Sequence, residues 1–191
     1  AVVTVGAHGN HALLQELGTG FAVDDGFVVT ALHGLQKFDR YGYRTGPGEV
    51  VASEVADRRD ALDLALLRPM AGTTHSRPLP RLLLAARAPL VGEQVFAIGA
   101  PDGLPGTLTT GTVSGLRRAR DVGLAIHGLN PELELIQTDA VLGRGNSGGP
   151  LLASDGEVLG MVVAAFGRGE RFGFAVQARD LKTAVHTARP R

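Results

Sequence analysis

A chain of 191 residues with 44% hydrophobic content can bury a substantial core, and its length suits one two-lobed unit better than several independent domains. Lys+Arg and Asp+Glu balance at 19 each and the basic residues are scattered, so the charge leaves no footprint for nucleic acid or an anionic membrane. The absence of cysteine excludes a disulfide framework and a thiol nucleophile, and no apolar stretch approaches the roughly 20 residues of a membrane span.

In chain order, residues 1–7 (AVVTVGA) form a short β-branched strand, and after a polar break come residues 12–17 and 18–23. Asp24-Asp25-Gly26 is a turn, and Phe27-Val28-Val29-Thr30 a further strand, so this part reads as successive hairpins. His8 and His11 share helical metal-ligand spacing but flank Gly9 and Asn10 in an expected loop, with no carboxylate nearby; no metal and no cofactor are expected. The strand ends at Leu32-His33-Gly34, where a histidine followed by an irregular segment (36–48) is positioned to project into a cleft. Residues 49–56 alternate like a strand.

Asp63 opens the apolar run Leu64-Ala65-Leu66-Leu67, where burial of its carboxylate is costly unless a donor such as an imidazole N–H satisfies it. Asp57 and Asp60 compete for that role from a more polar stretch. Residues 71–89 carry three prolines and no clean period, the best linker candidate. They divide a lobe at 1–85 from a lobe at 86–191. The second lobe offers strands at 91–99, 108–116, 133–138 and 171–176, a turn at 100–106, a polar excursion from Arg117 to Glu132 and an alanine-rich helical tail at 179–186. Apolar runs of about four to eight residues interrupted by glycine and proline point to an all-β sandwich or barrel.

Residues 137–163 organise the rest. Ser147 lies among Gly143, Gly145, Gly148 and Gly149, which let the backbone bend tightly and aim successive N–H groups at one spot beside the hydroxyl. Pro150 and a strand-turn-strand pattern follow, so no helix starts there. The string also satisfies G-x-G-x-x-G and G-x-S-x-G, but a dinucleotide site and an α/β-hydrolase elbow both need that helix. A trypsin-type nucleophile loop needs a histidine and then an aspartate upstream, and the chain supplies both.

With these pieces placed, the chain resembles the trypsin-like serine proteases, and within them the bacterial HtrA/Deg branch. The matching residues are Gly18-Thr19-Gly20-Phe21, Val29 to His33, Asp63 to Leu67, Gly92 to Gly99, Thr109 to Ser114, Gln137 to Ala140, Gly145 to Leu151, Asp155 to Gly160 and Gly173 to Val176, in the family's order. The resemblance implies two packed antiparallel β-barrels with a short C-terminal helix and an active site between them. It implies Ser147 as nucleophile, His33 as general base, Asp63 as its orienting acid, and backbone N–H groups at Gly145, Asn146 and Ser147 as the oxyanion hole. It further implies pocket walls from Val141 and Leu142 before the serine and Val162, Val163, Ala164 and Ala165 after it, with cleavage after small or medium aliphatic residues.

Protein or peptide substrates, an exported or periplasmic setting in a bacterium and a role in protein quality control or stress response follow from the same resemblance. So does a sensor function for residues 117–132, bracing the oxyanion loop. The chain is expected to be a protease unit without a PDZ domain, and its oligomeric state is left open. The competing expectation is a protease-fold binding or regulatory module with little or no turnover.

Overall fold

The computed structural model describes residues 1–8, 14–35, 40–44, 50–73, 78–122, 128–165 and 172–188. Six strands, β1 (Val2–His8), β2 (Leu14–Ala22), β3 (Val28–Ala31), β4 (Tyr41–Arg44), β5 (Val50–Arg59) and β6 (Leu64–Pro69), close into a barrel in the order β1-β2-β3-β6-β5-β4. Six more, β7 (Gln94–Gly99), β8 (Thr107–Arg118), β9 (Glu134–Thr138), β10 (Pro150–Ala153), β11 (Val158–Ala165) and β12 (Gly173–Gln177), close a second in the order β10-β11-β12-β9-β8-β7. Every strand pairing is antiparallel, and one helix, α1 (Ala178–Thr187), follows β12. The protein is an all-β, chymotrypsin-like fold of two barrels and a short C-terminal helix.

Closure removes the edges that would leave strand N–H and C=O groups unpaired. The short branched runs suit it, since each strand has a buried face: β3 and β10 are buried along their whole length, and β5 alternates. Two expectations are corrected. Within the segments 12–17 and 18–23, the described residues 14–22 form one strand rather than two hairpin arms, because β2 runs through Gly18 against β1, with a register shift at Val5/Gly6. The segment 36–48, expected to be irregular, contains β4, which closes the barrel between β1 and β5 and whose Tyr43 is 1% exposed.

One apolar cluster joins the barrels. Phe21, Val29, Leu64 and Leu66 of the first meet Leu135, Met161, Val163 and Phe174 of the second, with Leu181 and Val185 of α1. The connecting segment also binds the two: Leu82 N–H donates to Ala22 O, while Leu83 O and Ala85 N–H pair with Val158 of β11.

Candidate active site

The β3–β6 register brings the first two polar groups together. Ala31 faces Leu64 at the end of this pairing, so the chain leaving β3 into a 3-10 turn at Leu32–Gly34 runs beside the chain entering β6 from Asp63. Leu32 N–H donates to Asp63 O at 2.9 Å. The Asp63 carboxylate accepts the His33 backbone N–H on Oδ1 at 2.8 Å, and His33 Nδ1 lies 2.6 Å from Oδ2.

Both carboxylate oxygens are therefore engaged by one residue, which fixes ring and main chain together. Asp63 is 2% exposed, whereas the His33 side chain is 36% exposed. Hydrogen bonding to Asp63 raises the His33 pKa above its ordinary value; burial opposes this and is outweighed, and the carboxylate charge adds to the rise.

Asp63 takes a left-handed backbone, φ 50 and ψ 40, directly after the 3-10 turn at Asp60–Leu62. That conformation suits few residues besides glycine, asparagine and aspartate, and strain of this kind gathers at functional sites. Of the competing aspartates, Asp57 pairs with Arg59 and Asp60 lies 3.8 Å from Arg58; only Asp63 is buried against the histidine.

Ser147 comes from the other barrel. Its loop is paired to β11 through Gly148 N–H to Val162 O and Val162 N–H to Gly149 O. A methyl group on Gly148 would sit 2.2 Å from Thr19 O, 2.5 Å from Thr30 Oγ1 and 2.7 Å from Ala31 N, so the loop lies against the end of β3 that leads to His33. Gly148 also has φ +85. Only glycine combines that angle with so close an approach.

The peptides flanking Ser147 are each held by their carbonyls. Arg144 O accepts from Asp102 N–H at 2.8 Å, Gly145 O from Thr19 Oγ1 at 2.6 Å, Asn146 O from Gly149 N–H at 2.9 Å and Ser147 O from Thr19 N–H at 2.9 Å. Across a trans peptide the N–H points opposite to the carbonyl. Pinning Arg144 O and Asn146 O therefore sets the directions of the Gly145 and Ser147 N–H groups. Among the described residues neither of those N–H groups has an intramolecular acceptor, whereas Asn146 N–H donates to Gly143 O at 3.1 Å. Gly145 needs φ +99 here, and a Cβ would lie 2.1 Å from Ala100 O.

Of the six wall residues, Val141 is 74% exposed and Leu142 half-buried against the second barrel's core. Val162 and Val163 are 2% and 1% exposed and face different clusters, the second barrel's own core and the inter-barrel cluster. Ala164 and Ala165 lie on β11 opposite Phe174 and Gly173. Asp139, the acidic group just before this wall, is turned to Thr112, whose N–H and hydroxyl both reach its Oδ1. No group of acidic and histidine side chains able to hold a metal occurs among the described residues, and His11 lies outside them. Sequence reasoning assigned no role to Thr19, Thr30 or Asp102. The only sequence signal for Thr19 was its place between Gly18 and Gly20, in a run otherwise ordinary for a strand.

This arrangement defines the class: a two-barrel serine-protease fold with a histidine–aspartate pair from one barrel and a serine loop from the other. Residues 18–161 match the trypsin-like peptidase domain, and the chain belongs to that family. Among curated relatives it is 40% identical to serine protease HTRA1A of Danio rerio over 147 residues, covering 75% of this chain and 29% of the relative. It is 38% identical to the chloroplastic protease Do-like 1 of Arabidopsis thaliana over 166 residues, covering 85% and 37%. It is 37% identical to mitochondrial serine protease HTRA2 of Bos taurus over 172 residues, covering 88% and 35%.

The chain thus spans about a third of the length of these relatives. Among solved structures, the serine endoprotease from Yersinia pestis superposes with TM-score 0.77 at 26% identity, covering 98% of this chain and 62% of that one. The inactive form of the Rv3671c protease from M. tuberculosis gives TM-score 0.78 at 25% identity, covering 99% and 89%.

Proposed function

We propose that the chain is a serine endopeptidase of the HtrA type, cutting protein substrates through an acyl-enzyme formed on Ser147. A serine hydroxyl is almost never ionised at neutral pH, so His33 Nε2 takes its proton as Oγ attacks the scissile carbonyl, then passes it to the leaving amine. Asp63, holding Nδ1, keeps the tautomer that leaves Nε2 free and stabilises the imidazolium as it forms. The carbonyl oxygen, gaining negative charge, is received by Gly145 and Ser147 N–H, each donor worth roughly 3 to 4 kcal/mol. Asn146 N–H, engaged by Gly143 O, contributes to the turn.

The observation that carries this reading is the two-point grip of buried Asp63 on His33. Stoichiometric fluorophosphonate labelling of Ser147, abolished in Ser147→Ala and His33→Ala, is the expected result. A folded wild-type protein that fails to label and fails to cut casein would favour the binding-module reading.

For specificity, Val141, Leu142, Val162, Val163, Ala164 and Ala165 carry no charge. A lysine or arginine side chain buried among them would lose hydration at a cost of several kcal/mol, while an aliphatic one would gain roughly 1.5 to 3 kcal/mol. Cleavage after valine, alanine, isoleucine or leucine is expected. Sequencing the cut sites in an unfolded protein substrate checks this, and a majority after basic residues would reverse it. By resemblance the reading extends to a quality-control or stress role in an exported, periplasmic setting. Among the described residues no helix is long and apolar enough to cross a membrane.

A further inference from the structure

We infer that Thr19 is a positioning residue for transition-state stabilisation, acting through its hydroxyl on the oxyanion loop; this rests on the assignment of Ser147 and the Gly145 and Ser147 N–H groups above. Thr19 belongs to β2 of the first barrel and is 1% exposed. Its backbone N–H donates to Ser147 O at 2.9 Å. Its Oγ1 donates to Gly145 O at 2.6 Å and accepts from Ala100 N–H at 3.0 Å, and its own carbonyl accepts from Thr30 Oγ1 at 2.7 Å.

The hydroxyl has one proton, and Ala100 N–H can only donate, so the direction of both bonds is fixed: proton to Gly145 O, lone pair to Ala100 N–H. One side chain thereby ties the carbonyl of the residue supplying one oxyanion donor to the strand end at Ala100, which also abuts Gly145. The 147–148 peptide is tied at Ser147 O by the same residue's main chain. The 145–146 and 147–148 peptides, which flank the peptide carrying the Ser147 N–H, are thus referenced to the barrel that carries His33 and Asp63. Prealigned dipoles stabilise developing charge only if they need not reorganise when it appears. A freed Gly145 carbonyl would let the 145–146 peptide rotate, since glycine meets little backbone resistance.

Three substitutions separate this from a packing role. Thr19→Val keeps the shape and removes the hydroxyl. Thr19→Ser keeps the hydroxyl and removes the methyl, which packs near Gly149. Thr19→Cys differs from the serine variant by one atom and is a poor donor. Expected for Thr19→Val is a fall in kcat of about 10- to 100-fold, less than the roughly 100- to 1000-fold of removing an oxyanion donor outright, with KM within about threefold. Affinity for a peptidyl aldehyde, which mimics the tetrahedral adduct, falls in parallel. Affinity for the matching product acid and the pH midpoint of kcat/KM stay unchanged, because His33 and Asp63 are untouched.

Thr19→Ser retains kcat within about threefold of wild type. Wild-type kcat in Thr19→Val, or equal losses in the serine and valine variants, would overturn the inference. Should the valine variant not fold, equal kcat in the serine and cysteine variants would overturn it. If Ser147→Ala itself retained activity, the underlying site assignment would fail instead, so the two failures are distinguishable.

Discussion

At the scale of single residues, the proposed chemistry rests on one carboxylate held in a costly conformation. Asp63 occupies left-handed backbone with a buried side chain, and both of its carboxylate oxygens are engaged by His33. Asparagine tolerates the same φ and can accept the His33 backbone N–H, but its amide cannot hold a protonated imidazole. Asp63→Asn is therefore expected to fold and to lower kcat by about 10⁴-fold, the size of a wrong-tautomer effect.

The pH profile gives a second reading of the same pair. A general base works only when neutral, and the His33 pKa is raised, so kcat/KM should climb with pH through a midpoint above 6.5. In Asp63→Asn the midpoint should fall, since the chief cause of the rise is gone. For stability the sign is opposite: a raised folded pKa contributes fully below the unfolded value near 6.5 and is lost as pH rises through the folded value. A kcat/KM profile unchanged by Asp63→Asn would move the orienting role elsewhere. His33, Asp63 and Ser147 were legible because each breaks a pattern: a histidine ending a strand, a carboxylate heading an apolar run, a serine caged by glycine. Thr19 breaks none, since threonine in a strand is ordinary and its hydrogen bonds cross between barrels.

At the scale of elements, the polar excursion between β8 and β9 makes described contacts near Asp63. The sequence reading set residues 117–132 as a sensor bracing residues 143–149. Residues 123–127 lie outside the described ones, and the contacts described run to the turn that precedes Asp63: Asn130 N–H donates to Ala61 O, and a Cβ on Gly128 would lie 3.2 Å from Asp60 Cβ. Ala119 is buried, and Val122 and Leu129 pack on the inter-barrel cluster.

Excising residues 119–129 should then remove apolar burial worth on the order of 3 kcal/mol and lower Tm by about 6 to 12 °C. Turnover should fall with it, as the Asp60–Leu62 turn loosens. Differential scanning calorimetry beside a casein assay checks both, and reduced turnover with an unchanged Tm would favour the sensor reading. Most strands were legible because branched runs between glycines and prolines have one interpretation. β4 was not, because Tyr41-Gly42-Tyr43-Arg44 is short, contains a glycine and lies amid polar sequence. Its place comes from pairing with β1, which is distant in the chain, and with β5, which follows it.

At the scale of the whole molecule, the proposed active site and the stabilising core share one interface. His33 and Asp63 stand on the first barrel and Ser147 on the second, so the site exists only while the two are docked. Phe21, Val29, Leu64 and Leu66 bury themselves against the second barrel and α1. At roughly 1.5 to 3 kcal/mol per side chain, exposing these four would cost about 6 to 12 kcal/mol, comparable to the 5–15 kcal/mol of an entire domain.

Neither barrel can give up that contact and remain stably folded, so the molecule should unfold in one step. Its composition supplies a direct test. There is no tryptophan, and both tyrosines, Tyr41 and Tyr43, stand on β4 of the first barrel, whereas the only helix among the described residues longer than a single turn, α1, packs on β11 and β12 of the second. In a urea titration, tyrosine fluorescence reports the first barrel and ellipticity at 222 nm chiefly the second. The expected outcome is coincident midpoints, with fluorophosphonate reactivity lost over the same range. A tyrosine transition well separated from the helical one would mean that the barrels are independent units and that the cluster between them is weaker than its burial implies.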